Sequence, residues 1–313
     1  MTKQTFTYLS ADQKTPIHAV IWAPETQPAA ILQIAHGMVE FIDRYDAFAA
    51  YLTAQGFLVA GNDHLGHGAS VTGEEHWGYF AEVGGADCVL EDMRQLTLLA
   101  KTRCPGVPFF LLGHSMGSFF TRKYLCLYGK ELNGAIICGT GWQPAAALAT
   151  GSFLTRLLAV FRGWHYRSKF IDKLAFGGMN KPFEPAATPK DWLTRDARVV
   201  QAYLQDARNG FIFTLNACHG LFSTIAYVQN PRHLAHMPKA LPVLFIAGQA
   251  DPVGNMGKGV EKVAATFTQA GMQQVKTILY PEYRHEILNE LGKEVVYKDV
   301  AEWIRSVIAS QDG

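Results

Sequence analysis

The stretch Val107-Pro108-Phe109-Phe110-Leu111-Leu112-Gly113-His114-Ser115-Met116-Gly117 governs how this chain reads. An apolar run of strand length leads directly into Gly-x-Ser-x-Gly, and residues 118–128 then carry helix-forming character. That order predicts a buried strand that turns sharply into a helix with Ser115 on the turn. Glycine on both sides removes the side chains that would block so tight a turn, and the serine hydroxyl projects above the strand end. Ser115 is therefore a candidate nucleophile. The plainer reading is a serine that only caps the following helix.

Outward from this point, the first part of the chain alternates. Residues 5–10 and 17–22 have strand character around a polar turn, and 30–35, 57–61 and 135–138 are short apolar runs. Between them, 45–55 and 83–102 have helical periodicity, with Val89, Met93, Leu96 and Leu99 at core spacing in the second. Near-continuous apolar strands separated by helices predict an α/β fold with a mostly parallel, doubly wound sheet. The alternation stops after Gly141 and resumes with a strand at 241–247, a helix at 259–270, a strand at 275–280 and a helix at 293–310. The chain thus divides into a core, 1–141 and 241–313, and an inserted, mainly helical cap, 142–240. Helices are expected at 191–206 and 211–228 within the cap. Phe153, Leu154, Leu157, Leu158 and Phe161 form an apolar stripe flanked by Arg156 and Arg162. Loops at the carboxyl ends of parallel strands carry the sites of such folds, so a cap on that side roofs the site.

Bulk properties narrow the function classes. Of 313 residues 49% are hydrophobic and 18% charged, a globular balance, and the net charge of +1 gives little electrostatic support to nucleic-acid binding. The first twelve residues hold no apolar signal core, and no uncharged apolar run reaches membrane-spanning length. Five scattered cysteines, Cys88, Cys104, Cys126, Cys138 and Cys218, lack metal spacing and read as reduced residues of a cytoplasmic protein. His64 and His67 lie in a glycine-rich loop rather than on a ligand helix, which argues against a metal site. Residues 254–259 resemble a phosphate loop only superficially, since Pro252 holds the first required glycine position and Gly259 replaces the Ser or Thr. No metal and no organic cofactor is expected.

A serine nucleophile needs a base, and the base needs an orienting acid. Asp251 falls just beyond the 241–247 strand, and His285, the only histidine after residue 236, falls just beyond the 275–280 strand. Separately, each has a plainer reading, a turn aspartate before proline and an exposed loop histidine. Together with Ser115 they stand in the chain order of a doubly wound hydrolase, each after a strand. Glu261 lies inside the next helix, and the strand ending at Gly139 is followed by no carboxylate. The backbone N–H groups of Met116 and Met38 are the expected oxyanion donors, one at the start of the nucleophile helix and one in the loop after the 30–35 strand.

These motifs together resemble the monoacylglycerol lipase/lysophospholipase branch of the α/β-hydrolases, which includes serine aminopeptidase-like members. His36-Gly37-Met38-Val39-Glu40 with Arg44-Tyr45 is similar to its oxyanion loop, and Asp63-His64-Leu65-Gly66-His67-Gly68-Ala69-Ser70 to its D-x-x-G-H-G-x-S loop. Gly113–Gly117 and Arg284-His285-Glu286 are similar to its nucleophile and histidine segments. Phe41 and Leu65 depart from the branch, which often has histidine and arginine there. The resemblance implies an α/β-hydrolase fold, Glu40 and Arg44 bracing the oxyanion loop, and a structural role for residues 63–70. It implies ester hydrolysis through an acyl-enzyme, with lipid monoesters such as monoacylglycerols or lysophospholipids as substrates. Phe153, Leu157 and Phe161 are candidate substrate contacts, and the same stripe is a candidate transient membrane-surface contact, set against simple packing of the cap on the core. Two other readings stand beside this one. A peptidase or amidase would need a carboxylate such as Glu184, Asp191 or Asp206 to hold an amine. A catalytically silent hydrolase-fold binding protein would need no intact triad.

Overall fold

The structure is a computed structural model and describes residues 1–311. Its strands are β1 (Thr2–Leu9), β2 (Pro16–Ala23), β3 (Ala30–Ala35), β4 (Phe57–Asn62), β5 (Phe109–His114), β6 (Gly134–Cys138), β7 (Val243–Gly248) and β8 (Val275–Tyr280). They form one sheet in the order β1-β2-β4-β3-β5-β6-β7-β8, antiparallel at β1–β2 and β2–β4 and parallel elsewhere. This is the α/β-hydrolase architecture expected from the sequence.

Successive side chains of a strand point to opposite faces, and here both faces are covered. Phe109 and Leu111 of β5 join one buried cluster, and Phe110 and Leu112 join the other. Helices α1 (Asp46–Ala54) and α10 (Glu294–Gln311) cover one face through Phe48, Leu52, Val300 and Ile304. Helices α2 (Gly85–Arg103), α3 (Met116–Tyr128) and, further along the chain, α9 (Lys258–Gln269) cover the other. The strand order reverses between β3 and β5, so the loops leaving these two neighbours diverge and open a crevice at the sheet edge. Those loops carry Met38 and Ser115.

Between β6 and β7 the chain forms α4 (Ala145–Arg162), α5 (Lys169–Phe176), α6 (Ala197–Gln205), α7 (Leu215–Val228) and the short α8 (Pro231–Leu234). Helix α7 buries Leu215, Ala217, Cys218, Leu221 and Val228 in the same cluster as α2 and α3, and Leu148 and Ala159 of α4 join that cluster too. Fully buried Arg122 of α3 ties its end to the start of the insertion, donating to the Val228 carbonyl at 3.1 Å and the Gly141 carbonyl at 3.3 Å.

Two helices begin later than expected. Residues 191–196 are held by side chains instead of a helical ladder: Trp192 N donates to Asn180 Oδ1 at 2.9 Å and Thr194 Oγ1 to Glu290 Oε1 at 3.1 Å, and Asp196 then caps α6. Thr214 caps α7 while its hydroxyl donates to the Gly78 carbonyl at 2.6 Å. This leaves Phe211 and Phe213 extended against His67.

Helix α4 is long and apolar enough to cross a membrane by length and composition, although it includes Arg156 and Arg162. Leu148, Gly151, Thr155 and Ala159 face inward, and Leu154 and Leu158 are half-buried. Phe153, Leu157, Val160 and Phe161 point to solvent. The apolar stripe is thus split between packing and exposure.

Candidate active site

Ser115 sits at the end of β5 with φ 52° and ψ −117°, a conformation that L residues adopt only when the surroundings impose it. Its N–H donates to the Cys138 carbonyl at 2.9 Å, and its own carbonyl accepts from Ser118 N at 2.9 Å. The flanking glycines are required by close approach. A Cβ on Gly113 would lie 2.2 Å from Thr121 Oγ1, and one on Gly117 would lie 2.0 Å from the Ala35 carbonyl. Strand, turn and helix are packed too tightly there for any side chain.

Asp251 and His285, both buried, follow β7 and β8. Asp251 Oδ2 accepts from His285 Nδ1 at 2.9 Å, and Asp251 Oδ1 accepts from Val253 N at 2.9 Å. The first bond fixes the ring so that Nε2 is left for the cavity. His285 and Ser115 line one cavity of about 780 Å³ together with Met38 and Met116. Gly139, next to the residue that anchors Ser115 N, abuts the ring: a Cβ there would lie 3.3 Å from His285 Cε1. Met116 opens α3, so its N–H precedes the helical ladder, and Met38 N–H has no partner among the described residues. Ser115, His285, Met38 and Met116 thus border one cavity, with Asp251 bonded to His285 behind it.

The oxyanion loop is held from below by buried charges. Glu40 accepts from Gly37 N, from Tyr45 Oη at 2.9 Å, from His114 Nδ1 at 3.1 Å and from Arg44 Nη1 at 2.8 Å. Arg44 also forks onto Glu286, with contacts of 2.8 and 2.6 Å. Burial alone would raise the Glu40 carboxyl, but His114 and Arg44 outweigh it and hold the group well below the usual carboxylate range. Val39, at φ 56°, takes the strain of this loop, and its carbonyl accepts from Tyr203 Oη at 2.8 Å.

Asp63 braces the neighbouring loop by accepting from Ile42 N and Ala69 N, both at 2.8 Å. His64 and His67 are buried among Phe80, Phe120, Phe211 and Phe213; burial pushes His67 down to about 3. Of the two departures from the family pattern, Phe41 carries the Arg208 guanidinium 3.6 Å above its ring, and Leu65 is buried in the core.

Two expectations are corrected. Phe153, Leu157 and Phe161 do not line the cavity, because they lie on the solvent side of α4. The apolar wall comes instead from Ala147, Leu148, Ile171, Leu221, Phe222 and Ile225. Nor do Glu184, Asp191 and Asp206 line it. Asp191 accepts from Ala187 N at 2.8 Å and Asp206 pairs with Arg208 at 2.7 Å. The cap carboxylate that reaches the cavity is Asp172. Tyr203, Trp192 and Lys190 also line it and were missed, since nothing local to these residues marks them. The Arg44–Glu286 pair was missed as well, although both residues were in the quoted motifs.

Comparison with known proteins identifies the family. The family model described as serine aminopeptidase, S33, matches residues 26–292. The monoacylglycerol lipase of Mycolicibacterium smegmatis is 30% identical over 293 residues, 91% of each chain. The monoglyceride lipase of Mus musculus is 26% identical over 300 residues, 92% of this chain and 86% of that one. Among solved structures, a highly thermostable carboxyl esterase from Bacillus coagulans, in complex with glycerol, superposes with a TM-score of 0.91 at 30% identity, covering 98% of this chain and 99% of that one.

Proposed function

The chain belongs to the serine aminopeptidase S33 family of α/β-hydrolases, and we propose that it hydrolyses carboxylic esters of single-chain lipids, monoacylglycerols among them, through an acyl-enzyme. His285 takes the Ser115 proton as the hydroxyl attacks the ester carbonyl, and Asp251 holds the ring and stabilises its cation. Met38 and Met116 N–H groups receive the developing oxyanion. The imidazolium then protonates the departing alcohol, and water, activated by His285, releases the acid.

The observation that carries this reading is a nucleophile–base–acid set opening into a cavity with a largely apolar wall. Ester names among the relatives support it over amide hydrolysis. The exposed face of α4 and α5, with Phe153, Val160, Phe161 and Phe170 beside Arg156, Arg162 and Lys169, supports docking on a lipid surface. Five unpaired cysteines support residence in the cytoplasm.

A fluorophosphonate probe should label Ser115 in the folded protein, and Ser115→Ala should lose at least ~10³-fold in kcat/KM. A nitrophenyl ester series from acetate to palmitate should rise toward the longer chains. Exclusive use of acetate would overturn the lipid reading, and an unlabelled serine would favour a binding protein.

A further inference from the structure

Lys190 lines the same cavity as Ser115 and His285, and the acyl-transfer chemistry does not use it. Its ammonium lies 6.0 Å from the Trp192 ring centroid and 5.5 Å from that of Tyr203. The Trp192 ring is in turn 5.0 Å from the His285 ring. Among the described residues the ammonium has no hydrogen-bond or ion-pair partner.

This lysine is not on a loose surface loop. Asn180 donates to the Thr188 carbonyl at 2.7 Å and accepts from Trp192 N at 2.9 Å. Asp191 accepts from Ala187 N and from the Thr188 hydroxyl. The Trp192 and Leu193 carbonyls accept from His285 N at 3.4 Å and Glu286 N at 2.7 Å. The segment carrying Lys190 is therefore bonded directly to the segment carrying the base.

Two of the charged groups around it are already committed. Glu286 is forked by Arg44, and Arg284 donates to backbone carbonyls of Asp191 and Thr194. Asp172, the other carboxylate facing Lys190 across the cavity, lies beyond ion-pair distance, and burial pushes its carboxyl up. The charges of Asp172 and Glu286 offset only part of the cost of drawing this ammonium from water, and burial pulls its pKa below the ordinary value. An anion entering the cavity would remove that cost.

The leaving alcohol must lie on the His285 side, because His285 protonates it. Lys190 is one aromatic ring from that side, whereas Leu221, Phe222 and Ile225 form an apolar wall suited to an acyl chain. Building on the ester-hydrolase reading, we propose that Lys190 forms a subsite for a phosphate on the departing alcohol, so that acylglycerol phosphates are preferred over neutral acylglycerols of the same chain. The ammonium offers three donors as a point charge, which suits a phosphate oxygen better than a neutral hydroxyl.

The test compares kcat/KM for a monoacylglycerol and the matching lysophosphatidate, with a nitrophenyl ester as reference. The wild type should prefer the phosphate ester, and the preference should weaken as salt is raised. Lys190→Met should lower the phosphate-to-neutral ratio by about tenfold or more, and Lys190→Arg should restore most of it. A wild type without phosphate preference, or an unchanged ratio in Lys190→Met, overturns the subsite while leaving ester hydrolysis intact. No turnover of any ester, the nitrophenyl reference included, overturns both.

Discussion

His114 stands between Glu40 and His285: its Nδ1 is 3.1 Å from the Glu40 carboxylate and its Nε2 is 3.3 Å from the His285 carbonyl. Both ring nitrogens face acceptors, an arrangement satisfied in full only by the protonated ring. Burial would lower the His114 pKa, but the Glu40 hydrogen bond and charge outweigh it, and the net shift is upward. A folded-state pKa above the unfolded value of 6.5 gives stability that is complete below 6.5 and fades as pH rises through the folded pKa. The difference in Tm between wild type and His114→Gln should therefore be largest in mild acid and shrink toward alkaline pH. A constant difference across that range would contradict a charged His114.

Arg44 is the cation shared by Glu40 and Glu286; both carboxylates are buried and the arginine side chain is 10% exposed. Arg44→Met strands two carboxylates away from water, which should destabilise the fold by about 3–5 kcal/mol. Adding Glu286→Gln to Arg44→Met should recover part of the loss in chemical denaturation, a coupling that independent sites would not give.

Val160 and Phe161 are 80% and 76% exposed on α4, and neither lines the cavity. Each apolar side chain moved from water into an acyl layer gains about 1.5–3 kcal/mol. Replacing both with Asp should weaken sedimentation with lipid vesicles about tenfold or more, while turnover of a water-soluble short-chain ester stays near wild type. Equal vesicle binding would overturn this face as a lipid-docking surface.

Asp92 is buried where Ser10 Oγ and Ala11 N donate to its carboxylate, and burial raises its pKa from 3.8 to about 7. The folded state then binds the proton more tightly than the unfolded chain. Stability should fall as pH rises from about 4 to about 7 and level off above. In Asp92→Asn, which keeps an acceptor and a donor for these partners, that slope should be reduced in denaturation curves taken across the interval.

The core was legible because its signals are local. Strands such as β5 and β7 must be apolar on both faces to sit inside a doubly covered sheet, and the glycines around Ser115 are dictated by contacts under 2.5 Å. The cap was not, because its order comes from distant partners. Trp192, Tyr203 and Lys190 meet at the cavity only after Asn180, Glu290 and the His285 loop have fixed residues 188–196. The stripe on α4 shows the same limit: periodicity identified an apolar surface, but helical spacing alone cannot say which side of a helix a neighbour will cover.

Helix α7 supplies one wall of the cavity at Ser115. Leu221, Phe222 and Ile225 line the hollow from a helix that shares its buried cluster with α2 and α3, and α4 packs directly against it, with Gly151 where a Cβ would come within 2.9 Å of the Phe222 ring. A side chain at Gly151 would press the Phe222 ring into the hollow that both residues line, so the bore of the cavity is set where these two helices touch.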